Sequence, residues 1–296
     1  MIDFKKLTPQ AMVTIRPLLD LQEFRSCDFT IGGLYLWREF FKQEYAVIDG
    51  MLVCTAEYFD KGRCYSYPVG NGDLCAAIRS IKADAEERGL PLRFCCIPEE
   101  AVVRLTEAVG RPYEAIDYRD WADYLYPFAN FLGYHGKKLA GQRNHCNRFM
   151  REYPQYEYVP VSSENIGEAR EFLISNEHVF KKENPISAED YLRTLEALDH
   201  FELFGFTGGL LKVDGTTVGF TAGEIVRDTL YVHIEKALAE YSGAYPMLAM
   251  LYARQMQSSG ASYITREDDS GDPGLRYSKT EYRPCGMVNK FVIDFR

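Results

Sequence analysis

The sequence predicts an α/β protein with mixed sheets in which one topological plan occurs twice. Two observations carry this expectation. Asp-Gly pairs separate two apolar runs at Asp49-Gly50 and again at Asp214-Gly215, and each is a strong hairpin signal. Each hairpin is then followed by a strand, a glycine-bearing loop, a helix and a short apolar strand. The chain has 296 residues, 46% of them hydrophobic, enough to bury a large core in one or two domains.

Taken in order, residues 8 to 25 read as a helix, with Thr8 as N-cap before Pro9. Tyr45–Ile48 and Met51–Cys54 form the first hairpin. A strand over Arg63–Tyr67 runs into Gly70-Asn71-Gly72-Asp73, a helix entry capped by Asp73. The helix that follows places Leu74, Ile78, Ile81 and Ala85 on one side and stops at Gly89. Leu92–Ile97 is a strand, Glu99–Val109 a helix, and Tyr113–Tyr126 one aromatic-rich strand. In the second half Glu164–Asn176 and Ser187–Asp199 are helices. Gly209–Val213 and Thr216–Ile225 form the second hairpin, and Thr229–Lys236 is a strand. The loop Ala239–Tyr245 leads to a helix from Pro246 to about Ser258. Ala261–Thr265 and Met287–Phe295 are strands, with a polar turn between them.

This order is the one that an N-acetyltransferase-like (GNAT) fold produces. The expectation is therefore tandem GNAT-like domains over residues 1–135 and 136–296, the second opening with a basic helix. The repeat is topological, because residue identity between the halves is slight.

Composition excludes several classes. A net charge of −9 argues against wholesale nucleic-acid binding, though not against a local basic patch. The eight cysteines form no CxxC pair and no Cys/His cluster with metal spacing, so buried free thiols are expected and a metal site is not. The N-terminus lacks a secretory apolar region, and no apolar run reaches the ~20 residues that span a bilayer. A soluble, cytoplasmic protein without an integral membrane segment is the expectation.

Candidate chemistry falls on three segments. In Leu230–Lys236 a period of two places Tyr231, His233 and Glu235 on one face. An imidazole and a carboxylate there suit proton removal from an amine nucleophile, although a solvent-facing sheet surface would show the same alternation. The loop that follows contains Ser242 and Gly243 at a helix entry, where backbone N–H groups and the helix dipole can hold an anion. In acetyltransferases of this fold such a loop cradles the coenzyme A pyrophosphate through a Q/R-x-x-G-x-G/A pattern. Here Glu240 adds negative charge and Tyr245 replaces the second small residue, so ordinary acetyl-CoA binding is not expected.

The segment Gly136–Arg151 reads as a helix that carries the basic concentration of an acidic chain. Lys137, Gly141, Asn144, Arg148 and Arg151 share its polar face, beside Lys138. Leu139, Cys146 and Met150 form its apolar stripe. Arg143, at the stripe's edge, is expected to need an anionic partner, for which the carboxylates of residues 267–272 are candidates. The third segment, Thr265–Lys279, combines Glu267 and Asp269 with Gly271, Pro273 and Gly274, then Arg276 and Lys279. It reads as a constrained turn whose carboxylates suit a cationic amino group. Tyr282 follows, just before Arg283-Pro284.

Two motifs carry a family resemblance. They are Gly136-Lys137-Lys138-(x4)-Arg143-Asn144-His145-(x2)-Arg148-Phe149 and Arg266-Glu267-x-Asp269-x-Gly271-x-Pro273-Gly274-Leu275-Arg276-(x2)-Lys279-(x2)-Tyr282-x-Pro284. Together they resemble an uncharacterised bacterial family related to the catalytic C-terminal domain of phosphatidylglycerol lysyltransferase, over essentially the whole chain. The resemblance implies a tandem GNAT-like fold, as in the Fem-type aminoacyltransferases of peptidoglycan synthesis. It also implies an acyl- or aminoacyl-transfer site involving the second domain, with Arg143, Asn144, Glu267, Asp269, Arg276 and Lys279 as the matching motif residues. The lysyltransferases move an aminoacyl group from tRNA to a lipid hydroxyl and carry a transmembrane portion, which is not found in this chain.

The leading expectation is an aminoacyl-tRNA-dependent transferase without a tightly bound cofactor. The donor ester would be attacked directly by a small amine or hydroxyl acceptor. Glu267 and Asp269 would hold the donor's α-ammonium, Arg143, Arg276 and Lys279 would contact phosphate or oxyanion, and His233 or Glu235 would accept a proton. Lys137, Lys138, Arg148 and Arg151 would meet the tRNA acceptor end. The alternatives are an acyl-CoA-dependent N-acyltransferase and a non-catalytic module that binds a small charged ligand.

Overall fold

The computed structural model describes residues 1–58 and 60–296. They form two compact units: Met1–Asp123 with Val288–Arg296, and Tyr124–Met287. The boundary expected from the sequence, between residues 135 and 136, lies inside the second of these units.

The first unit is built on strands β1 (Lys5–Lys6), β2 (Glu44–Ile48), β3 (Met51–Tyr58), β4 (Gly62–Tyr65), β5 (Val69–Gly70), β6 (Leu92–Pro98) and β7 (Tyr113–Asp117). The last strand of the chain, Lys290–Phe295, returns to lie between β6 and β7. Its helices are α1 (Pro9–Leu19), α2 (Ile31–Trp37), α3 (Leu74–Arg88) and α4 (Glu99–Val109). Local chemistry explains each start. The Thr8 and Asp73 side chains accept from the N–H groups of Ala11 and Ala76, capping α1 and α3. Each helix buries its apolar stripe, with Met12 and Ile15 from α1, Ile78 and Ile81 from α3, and Leu105 from α4. The β2–β3 hairpin turns at Asp49 (φ 49°) and Gly50 (φ 77°), the two positive values a type I′ turn demands.

The second unit holds β8 (Asp123–Pro127), β9 (Tyr156–Pro160), β10 (Thr207–Val213), β11 (Thr216–Val226), β12 (Thr229–Ala237), β13 (Tyr263–Thr265) and β14 (Gly286–Val288). With β15 assigned to Lys290–Phe295, the two sheet orders read β1-β2-β3-β4-β6-β15-β7, with β5 on β3, and β14-β8-β13-β12-β11-β10-β9. The helices are α5 (Phe128–Phe131), α6 (Ala140–Glu152), α7 (Ile166–Ser175), α8 (Glu177–Phe180), α9 (Pro185–Leu198), α10 (Ala244–Gln255) and α11 (Pro273–Glu281). The β10–β11 hairpin repeats the first, with Asp214 at φ 50° and Gly215 at φ 77°. The core of this unit is α10, whose Met247, Leu248, Met250 and Tyr252 are buried among Phe131, Phe149, Val218 and Leu230.

Four elements depart from the sequence reading. Tyr113–Tyr126 is not one strand. A 3₁₀ turn over Arg119–Trp121 divides β7 from β8, with the Trp121 ring stacked 4.4 Å from that of Tyr118. Residues 287–295 likewise divide at Asn289 into β14 and β15, which lie in different sheets. Pro273 opens a helix rather than a turn: the Asp272 side chain accepts from the Leu275 N–H at 2.7 Å and Pro273 occupies the first helical position. The shorter helix α1 stops at Leu19 instead of residue 25.

Candidate functional site

In the second sheet β12 and β13 form a short parallel ladder. They pair over Thr229↔Tyr263, Leu230↔Ile264 and Tyr231↔Thr265, joined by the crossover helix α10. Beyond Tyr231 the strands part. β12 continues to Ala237 against β11, while the chain after Thr265 leaves the sheet. The opening lies at the carboxyl ends of parallel strands, where α/β sheets present their ligand sites. His233 and Glu235 reach it from β12, and Arg266 and Glu267 from the departing chain.

A β-bulge sets the local geometry. Ala222 pairs with Ile234 but Gly223 pairs with Val232, leaving His233 as the extra residue of β12. A Cβ on Gly223 would stand 1.9 Å from the Tyr231 carbonyl oxygen, so this close approach requires glycine. The bulge brings Glu224, 1% exposed, to the buried imidazole, with Glu224 Oε1 3.1 Å from His233 Nε2. On the other side Glu267 Oε1 lies 2.7 Å from His233 Nδ1. Glu267 has φ +59°, in the left-handed region, and its side chain is 20% exposed. The rings of Tyr231 and Phe206 flank the imidazole at 6.2 and 5.8 Å.

Burial alone would favour a neutral imidazole. The hydrogen bonds to Glu224 and Glu267 outweigh it and raise the His233 pKa to about 9. A raised pKa, with a carboxylate at each ring nitrogen, suits a protonated ring that donates to Glu224 and Glu267, whereas the sequence reading gave His233 or Glu235 the role of proton acceptor. Glu267 is the accessible member of the array, its side chain partly open to solvent.

The remaining residues of the segment form a frame. Glu235 is ion-paired with Arg266, each side chain about one-tenth exposed, and the Arg266 guanidinium lies 4.4 Å from the centroid of the buried Tyr282 ring. Asp269 is fully buried. It accepts from Tyr124 Oη at 2.5 Å, from Gly271 N at 3.0 Å, and from Arg276 Nη2 and Nε at 2.9 and 3.0 Å. Lys279 Nζ donates to the carbonyls of Arg266 and Asp268. Asp269, Arg276 and Lys279 thus hold the chain that carries Glu267, and the carboxylate pair envisaged from Glu267 and Asp269 is divided between His233 and Arg276.

Arg143 does not meet a carboxylate. Its Nη1 donates to the carbonyls of Tyr134 at 2.6 Å and Gly136 at 3.0 Å. Asn144, Arg148 and Arg151 are exposed on α6, Lys137 and Lys138 are exposed on the 3₁₀ turn that precedes it, and Arg148 pairs with Glu152 at 2.7 Å. Arg283 joins this surface through a 3.4 Å hydrogen bond from Nε to the Lys138 carbonyl.

Ser242 is half-buried in the loop before α10. Gly243 caps that helix at φ 90°, and a Cβ there would lie 2.4 Å from the His145 carbonyl, so α6 closes over the helix entry. Tyr231 is buried beneath the array. Glu224 and Arg266 were not among the site residues read from the sequence. Gly223-Glu224 inside an apolar strand was the available signal, since an interior glycine marks a bulge.

Among the described residues, Cys27, Asp28 and Asp123 in the first unit have ligand atoms close enough for a metal ion. Their centre is taken by the buried Lys290 ammonium, 2.7 Å from Asp28, 2.8 Å from Asp123 and 3.4 Å from Cys27 Sγ. Six of the eight cysteines are buried free thiols, while Cys75 and Cys285 are exposed. Burial pushes the Cys54 and Cys146 thiols up to about 12. No helix among the described residues is long and apolar enough to cross a membrane.

Two mixed sheets, each bearing a topologically equivalent hairpin, define a tandem GNAT-like fold. The profile of the family described as phosphatidylglycerol lysyltransferase, C-terminal, matches residues 20–293, and the chain belongs to that family. A conserved protein of unknown function from Bacteroides thetaiotaomicron is similar over 100% of both chains, with 32% identity and a TM-score of 0.90. The structure of L-PGS from Bacillus licheniformis matches at 17% identity over 98% of this chain and 93% of that one, with a TM-score of 0.69. FemX shares the fold at 11% identity over 99% and 97%, with a TM-score of 0.59. An uncharacterised protein of Mycoplasmoides gallisepticum is 22% identical over 177 residues, 58% of this chain and 55% of its own. The chain therefore spans about half the length of that curated relative.

Proposed function

We propose that the protein is an aminoacyltransferase, and that Glu267 is the group that meets the reacting atoms. The observation that carries this reading is the Glu224–His233–Glu267 array at the parting of β12 and β13. Two carboxylates and one imidazolium leave a net negative charge, and of the three side chains Glu267 alone is accessible, at 20% exposure. This charge attracts the α-ammonium of an aminoacyl ester. Glu267 accepts the proton of the attacking amine or hydroxyl as the new acyl bond forms and the ester C–O bond breaks, and the departing ribose oxygen is protonated by solvent.

The loop before α10 supports an aminoacyl donor over acyl-CoA. Pro246 has no N–H, the Ala244 N–H is already bonded to the Tyr241 carbonyl at 2.9 Å, and Glu240 is exposed at the same place. A pyrophosphate would find few donors there. The exposed basic surface of Lys137, Lys138, Arg151 and Arg283 supports electrostatic contact with the acceptor end of tRNA.

The test is transfer from a pool of labelled aminoacyl-tRNAs to a panel of small amines and hydroxyl compounds, together with lipid acceptors. Wild-type protein transfers label, and Glu267→Gln lowers kcat/KM by roughly 100-fold or more, the scale of general-base loss. Lys137→Ala with Lys138→Ala weakens tRNA binding and flattens its salt dependence. Absence of tRNA binding at any salt concentration, together with saturable acetyl-CoA binding by calorimetry, would transfer the assignment to an acyl-CoA N-acyltransferase.

A further inference from the structure

We infer that Glu224 is a positioning residue for the transfer reaction: it fixes the His233 ring so that Nδ1 meets Glu267, and through that ring holds the Glu267 carboxylate in place for the substrate. The inference rests on the reading of Glu267 given above. Three geometric facts carry it. Glu224 is 1% exposed, so it does not touch a substrate itself. It lies 3.1 Å from Nε2, the ring nitrogen opposite the one that meets Glu267. Its placement depends on a bulge that only a glycine at 223 permits.

The chemistry explains why the array needs a second carboxylate. A neutral imidazole has one N–H, and with Glu267 alone it could rotate or lose its proton. A carboxylate at Nε2 makes both nitrogens donors and fixes the plane of the ring. The groups that face His233 are Glu224 from β11, Glu267 from the chain after β13, and the rings of Tyr231 and Phe206. The Tyr252 phenol of α10 is engaged with Thr207 Oγ1 at 2.9 Å. Glu267 gains in turn. Its backbone sits in the left-handed region, which non-glycine residues rarely adopt, and the 2.7 Å contact to the charged ring retains the side chain there.

The experiment uses the full chain labelled with ¹⁵N-histidine, with His233 signals assigned through His233→Gln. In wild-type protein at neutral pH both His233 nitrogens are protonated. In Glu224→Gln the His233 titration midpoint falls by about one unit or more, as expected for loss of a charged partner. Transfer falls by roughly 10- to 100-fold, mainly in kcat, the range seen when partners of an active group are removed. Glu224→Asp, which keeps the charge on a shorter arm, recovers part of both. Unchanged His233 titration in Glu224→Gln, or wild-type protein with an unprotonated Nε2, overturns the inference. If Glu224→Gln does not fold, Glu224→Asp and the wild-type spectrum decide it. Wild-type protein that shows the doubly protonated ring but no aminoacyl transfer would remove the proposed function while leaving the positioning of His233 by Glu224 intact.

Discussion

His233 links protonation to stability at a single residue. Its folded pKa of about 9 exceeds the unfolded value of ~6.5, so folding is strengthened by proton uptake. That contribution is fully present below pH ~6.5 and is lost as pH rises through about 9, amounting to roughly 3 kcal/mol for a shift of this size. Urea unfolding of wild-type protein and His233→Gln between pH 6 and pH 10 checks this. The difference between them should shrink as pH increases, and a constant difference would exclude an imidazolium in the folded state. At the same scale the alternation Tyr231-x-His233-x-Glu235 was legible, because a period of two needs only sequence. The charge state was not legible, because it depends on Glu224 and Glu267, nine and 34 residues away.

Among the elements, the β11–β12 ladder is where the site is made. Gly223→Ala puts a methyl group 1.9 Å from the Tyr231 carbonyl. The bulge must then shift, and we expect a loss of about 2–4 kcal/mol of stability, typical of overpacking and backbone strain in a core. Chemical denaturation measures the loss, and it should be accompanied by displacement of the His233 resonances. Helix α11 illustrates how element boundaries were misread. Asp272-Pro273 is an N-cap followed by a first-turn proline, a helix-start signal carried in the sequence itself. The surrounding glycines and charges made it read as a turn. The hairpins at Asp49-Gly50 and Asp214-Gly215 were legible because a two-residue turn is decided by those two residues.

In the whole molecule, each compact unit has its own sheet and its own buried polar anchor. In the first unit the anchor is Lys290, 1% exposed, held by Asp28 and Asp123. Its neighbours Cys27 and Asp123 are bridged by the Asp123 carboxylate, which accepts from the Cys27 N–H at 2.9 Å. Lys290 therefore ties the C-terminal strand β15 to segments some 170 and 260 residues earlier. Lys290→Met removes the ammonium that pairs with the fully buried Asp123 carboxylate at 2.8 Å. We expect a loss of about 3–5 kcal/mol, the range for breaking one side of a buried ion pair, read by urea denaturation. A loss below 1 kcal/mol would show that the pair is not needed for folding.

The chain by itself determined what local physics decides. Helix caps, the two Asp-Gly turns, strand alternation and the order of elements specified a tandem α/β plan, and two motifs specified the family. Tertiary structure decided which polar groups face one another. Asp269, Arg276, Lys279 and Arg143 carry charges that look available in a linear reading, yet folding commits them to a buried fork, to backbone carbonyls and to one another. Glu224 looks like an isolated acid in an apolar strand, yet the bulge at Gly223 brings it to His233. The reason is physical: secondary structure follows from neighbours in sequence, whereas burial and electrostatic pairing follow from neighbours in space.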